Sequence, residues 1–115
     1  MRIGITSQNF RTITGHAGKT RRFLVYQDDG QSGEVREVER ISLPKELSLH
    51  EYQGSEPHPI QSFDVLITAG CGQGFINRMA AWGVQLHATS EADPVKAAQA
   101  VVRGEPLPPP LPHEH

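Results

Sequence analysis

The sequence predicts an α/β domain built on a mixed sheet of about five strands, and three observations support this. Short runs of branched and apolar residues recur along the chain, at 3–7, 22–27, 34–43, 63–69 and 84–88. In the second half these runs alternate with helix-period segments that end at glycine, which makes parallel pairing. In the first half a glycine-bearing turn joins two of the runs as a hairpin, which adds an antiparallel pair. At 115 residues the chain forms one domain that removes roughly 60 to 70% of its unfolded surface from water. It needs neither disulfide nor metal to fold.

Ile3 and Ile5 start the first strand, which ends near Ser7, and the polar stretch through Gly15-His16-Ala17-Gly18 is a loop. Arg22-Phe23-Leu24-Val25-Tyr26-Gln27 reads as the second strand, and Asp28-Asp29-Gly30-Gln31-Ser32-Gly33 supplies turn residues. In the third run Val35, Val38 and Ile41 stand three apart. That spacing suits a helix or a bulged strand; the preceding turn and the stop at Pro44 favour the strand. Residues 44–62 lose periodicity and hold His50 and His58, the latter between Pro57 and Pro59. A loop of this length in a compact domain is usually functional or disordered, and flanking prolines hold a histidine at small entropic cost; the plain alternative for His50 and His58 is a surface loop.

Phe63-Asp64-Val65-Leu66-Ile67-Thr68 is a buried strand, followed by Ala69-Gly70-Cys71-Gly72-Gln73-Gly74 and a helix over about 73–82 that Gly83 stops. With strand 84–88 this makes a β-α-β unit of right-handed crossover. Asp93-Pro94 caps a last helix, whose face is Val95, Ala98, Val101 and Val102 and whose end is Gly104. Residues 1–104 therefore form the domain. Residues 105–115, with their prolines, His113 and His115, are expected to form an extended, flexible tail.

Eleven basic against thirteen acidic side chains give a formal charge of −2, which does not point to a nucleic-acid or membrane surface. A single cysteine forbids an internal disulfide, and no apolar run approaches 18 residues. The expected setting is a reducing cytoplasm.

Ligands of open α/β sheets bind beyond the carboxyl ends of the parallel strands. Cys71 follows one such end, Thr89 and Ser90 another, and Ser7 to Asn9 with the His16 loop a third, if the first strand runs the same way. The helix starting near Gln73 aims N–H groups and partial positive charge at that place, which favours anions and thiolates. Four chemistries compete there. The Gly70, Gly72, Gly74 series lacks the third glycine and the acidic residue of a dinucleotide fingerprint, since Phe75, His87 and Ala88 stand in those places. A thiol activated by the helix and a histidine is a nucleophile only in principle, for no hydrolase signature accompanies it. The first strand has no carboxylate for a metal-dependent nuclease. Thiolate and imidazole suit a soft-metal or iron-sulfur site. Beside these stands the plain alternative that Cys71 is a small residue filling a tight turn.

These residues carry a resemblance. Arg2-Ile3-Gly4-Ile5-Thr6-Ser7, Gly15-His16-Ala17-Gly18-Lys19 leading into Arg22-Phe23-Leu24-Val25-Tyr26, Asp64-Val65-Leu66-Ile67 with the Gly70-x-Gly72 turn, and Gly83-Val84-Gln85-Leu86 together resemble the dinitrogenase iron-molybdenum cofactor biosynthesis family, the NifX-like group that includes the C-terminal domain of NifB. The likeness spans Arg2 to about Gly104. It implies a ribonuclease-H-like fold without nuclease activity, and binding or transfer of iron-molybdenum cofactor or its iron-sulfur precursor in nitrogenase maturation. Its partners would be cluster donor and acceptor proteins, with neither nucleic acid nor membrane involved. Ala17 stands where an aromatic residue is usual, Cys71 where an apolar residue is common, and the His50 to His58 segment replaces a glycine-rich stretch and helix. The expectation is a non-enzymatic cluster carrier with His16 as first ligand, Cys71 and His58 as further candidates, and the N–H groups of Gly72 and Gln73 favouring an anionic cluster. The alternative is a protein-interaction or regulatory module that binds no metal.

Overall fold

The computed structural model describes residues 1–48, 52 and 58–110. Its five strands are β1 (Arg2–Thr6), β2 (Arg22–Asp28), β3 (Val35–Ser42), β4 (Val65–Thr68) and β5 (Gln85–Ala88), with helices α1 (Gln73–Trp82) and α2 (Pro94–Arg103). They form one sheet in the order β3-β2-β1-β4-β5. β1 pairs in parallel with β4 and β4 with β5, while β2 is antiparallel to both β1 and β3. The expected mixed α/β sheet is therefore present, with β1 central and β2 the one reversed strand.

Each helix covers one face. Phe23, Val25 and Leu66 turn to the side where Phe75 and Met79 of α1 lie. Ile3, Ile5, Leu24, Tyr26, Val65 and Ile67 turn to the side of Ala97 and Ala98 of α2. The alternation along β1 leaves Gly4 on the α1 side, where a Cβ would come 2.2 Å from the Phe63 ring. Glycine there lets the buried ring lie directly on the central strand.

The helix boundaries follow the capping residues. Gly83 and Gly104 end α1 and α2 in the left-handed region, at φ 72° each. The Asp93 carboxylate accepts from the N–H groups of Val95 and Lys96, with Pro94 at the first helical position. The three-residue spacing in the third run proves to be a bulge: Glu39 lies opposite Val25 and Glu37 opposite Tyr26, so Val38 is left without a partner. Between β3 and β4 the described residues hold two single 3-10 turns, Lys45–Leu47 and Pro59–Ser62. His50, His113 and His115 lie outside the described residues.

The described part of the expected tail, residues 105–110, makes contacts with the domain. Residues 105–110 contain no helix or strand, but Leu107 packs against the α2-side core. The Thr89 hydroxyl donates to the Pro108 carbonyl (2.6 Å) and the Ser90 N–H to that of Pro109 (3.2 Å). Proline cannot donate a backbone hydrogen bond but its carbonyl accepts, and this is how the stretch is fastened.

Candidate functional site

β1, β4 and β5 end at one edge of the sheet, and buried threonines join that edge to the loops beyond it. Thr6 and Thr68, the last residues of β1 and β4, are fully buried. The Thr6 hydroxyl donates to the Thr14 carbonyl (2.6 Å) and lies 2.8 Å from the Thr68 hydroxyl, which accepts from the Gly70 N–H (3.3 Å). The backbone continues the connection. Thr14 N–H donates to Thr6 (2.9 Å), Ala69 N–H to Thr14 (3.1 Å) and Ala17 N–H to Gly70 (3.2 Å). Through the Ala17–Gly70 bond the His16 loop and the Cys71 turn become one mouth, each residue being next in sequence to one partner of that bond.

His16 is exposed and left-handed at φ 54°, and its carbonyl accepts from the N–H groups of Lys19 (2.9 Å) and Thr20 (3.1 Å) in a tight turn. Phe10, at φ 57°, is the other left-handed non-glycine among the described residues, and it lies in the same loop. Cys71 is half-buried against the α1-side core, and burial pushes its thiol above the ordinary thiol range. This burial acts against the thiolate that the helix start was expected to favour. Gly72 caps α1 without a side-chain hydrogen bond, and Gly72, Gln73 and Gly74 are exposed. The first-turn N–H groups, which have no intrahelical acceptor, therefore open on the mouth.

His58 lies elsewhere. It is 3% exposed, its Nδ1 accepts from the Ile60 N–H (3.1 Å), and its Nε2 bonds the Leu47 carbonyl. The ring is thereby held as the neutral Nε2–H tautomer, and burial pushes its pKa down. It stacks on Trp82 at 5.6 Å and meets Tyr52 edge-on at 4.9 Å. Trp82 closes α1, and a helix of ten residues is about 15 Å long. His58 thus sits at the far end of α1 from Cys71, where it caps the 3-10 turn that Pro59 begins and stacks on Trp82. Thr89 and Ser90 also leave the mouth, since both bond the segment after Gly104. Among the described residues no three His, Cys, Asp or Glu side chains gather as a metal site.

The family model described as "Dinitrogenase iron-molybdenum cofactor" matches residues 1–104. The chain belongs to the dinitrogenase iron-molybdenum cofactor family. It is similar to the crystal structure of PH0822, with 19% identity and a TM-score of 0.68, over 91% of this chain and 93% of that one. It is also similar to the NMR structure of TM1290 from Thermotoga, provisionally assigned as a NifB protein of the DUF35 family. That match has 20% identity and a TM-score of 0.55, over 99% of this chain and 98% of that one. At these identities the likeness shows the fold. No curated protein matches the chain.

Two features of this family member's edge were not anticipated. The threonine pair could have been suspected from Ile5-Thr6 and Ile67-Thr68, because a hydroxyl ending each of two apolar strands has only its neighbour and the loops to bond. The second is charge. The first 27 residues hold Arg2, Arg11, Lys19, Arg21 and Arg22 but no Asp or Glu. A near-neutral total hides this asymmetry.

Proposed function

We propose that this member of the iron-molybdenum cofactor family is a non-enzymatic carrier that receives an iron-sulfur or iron-molybdenum type cluster and passes it on, in nitrogenase cofactor maturation or a related pathway. The cluster is its cargo, and His16 and Cys71 are the side chains that reach it. The N–H groups of Gly72 and Gln73 add favourable potential for an anionic cluster. The observation that carries this reading is the Ala17–Gly70 hydrogen bond, which sets the His16 loop against the Cys71 turn beside the uncapped start of α1. Imidazole and thiolate are the donors that iron-sulfur chemistry uses, and two protein ligands suit release better than a full set. Donor and acceptor proteins are its partners, in a reducing cytoplasm. No helix among the described residues is long and apolar enough to cross a membrane.

Because burial holds the Cys71 thiol protonated, ligation there must displace a proton. Anaerobic titration with a cluster donor at several pH values tests the proposal. Charge-transfer absorption that saturates, and whose midpoint falls to lower cluster concentration as pH rises, is the expected result. No absorption above that of the donor alone would leave the module that binds protein and no metal as the better reading.

A further inference from the structure

We propose that the edge around His16 is also a docking surface, and that its occupant is a protein presenting a carboxylate-rich patch. Arg11, Lys19, Arg21 and Arg22 all belong to the loop between β1 and β2 or to the first residue of β2, and all four are exposed. None takes part in the ion pairs formed among the described residues, which are Met1–Asp28, Arg2–Glu39, Arg40–Glu37 and Arg103–Glu34. Lys19 donates its backbone N–H to the His16 carbonyl, so the basic side chains begin within one turn of the mouth.

Among the described residues, the acids of the neighbouring 91–93 segment form no ion pair with these basic side chains. Ala92 accepts from the Ile13 N–H, which brings residues 91–93 alongside the loop. Yet the Glu91 carboxylate accepts from the Asp93 N–H, and the Asp93 carboxylate caps α2. Both are turned to backbone donors of their own segment. The result is a cluster of four exposed basic side chains at one edge of a molecule whose thirteen acids all lie beyond residue 27.

The same asymmetry selects the occupant. A long polyanion such as RNA would run off the basic edge onto an acidic body, and the sequence pI of about 6.3 is far below that of nucleic-acid-binding domains. A compact acidic surface engages the edge and no more, with charge complementarity setting orientation and on-rate. The choice of a protein rests on the carrier reading, because cargo handed on needs an acceptor that covers the mouth.

The test uses the full chain with a labelled polyglutamate peptide, a polyglutamine peptide of equal length and a single-stranded RNA of equal length. Anisotropy should show polyglutamate binding that weakens steeply between roughly 0.02 and 0.2 M salt. Amide shifts should cluster at residues 8–22, and Arg11→Glu/Lys19→Glu/Arg21→Glu should weaken the peptide by about tenfold or more. Unchanged affinity in that variant, shifts spread elsewhere, or tighter binding of RNA than of polyglutamate would overturn the proposal. Cluster titration of the same variant separates the two ideas. Loss of peptide binding with cluster uptake intact supports docking at the edge. A wild type that takes up no cluster but binds the peptide at residues 8–22 overturns the carrier reading and leaves the acidic-docking surface standing.

Discussion

At His58 the ring nitrogens are fully committed, one accepting from Ile60 and the other bonding Leu47, while Trp82 stacks on the ring and Tyr52 meets it edge-to-face. Desolvation depresses the folded-state pKa below the usual 6.5. The unfolded chain therefore takes up a proton first as pH falls. The stability contributed by neutral His58 is complete above pH 6.5 and is lost as pH drops through the depressed folded value. His58→Phe keeps the ring but strands the Ile60 N–H and the Leu47 carbonyl. It should cost about 1–3 kcal/mol at neutral pH. Denaturant melts of both proteins between pH 7.5 and 4.5 should show a flatter acid dependence in the variant, and an unchanged slope would assign the acid sensitivity to other groups. In the sequence, Pro57-His58-Pro59 announced that this side chain is fixed. It could not announce what the fixing serves, since ligand and helix cap need the same rigidity, and only the position relative to Trp82 separates them.

Among the elements, the helices and β4 were the most legible, because their limits are written in residues with one physical meaning. Asp93-Pro94 can start a helix, and Gly83 and Gly104 can adopt the left-handed stop. The bulge at Val38 was legible only as an irregular period, since the residue left unpaired depends on the register against β2. Gly4 gave no signal, because its reason is the Phe63 ring nearly sixty residues away in sequence. Gly4→Ala would drive a methyl into that ring, which is 3% exposed and packed in the α1-side core. Thermal and denaturant unfolding should show a loss of about 1–3 kcal/mol, the usual scale of overpacking. A neutral result would mean that the ring moves aside, and that its seat on β1 does not help to hold the core.

For the molecule as a whole, the sheet order gathers the candidate site at one edge. Parallel β1, β4 and β5 bring three loops to the same edge, and the threonine hydrogen bonds lock two of them together. That much could be read from topology: the loop that carries Cys71 after β4 and the loop that carries His16 after β1 come together once β1 is central. The third loop could not be read, because Thr89 and Ser90 are taken by carbonyls of a proline segment whose composition suggested a free tail. The Cys71 titration was likewise hidden, as the depth of a turn residue is set by the core beneath it. The central claim is that His16 and Cys71, on joined loops, together hold a cluster. The most direct measurement is cluster uptake by wild type, His16→Ala, Cys71→Ala and His58→Ala, followed anaerobically by absorption and EPR. The first two variants should each bind about tenfold more weakly or worse, with His58→Ala, where folded, binding as wild type does. Uptake unchanged in His16→Ala and Cys71→Ala would contradict the account.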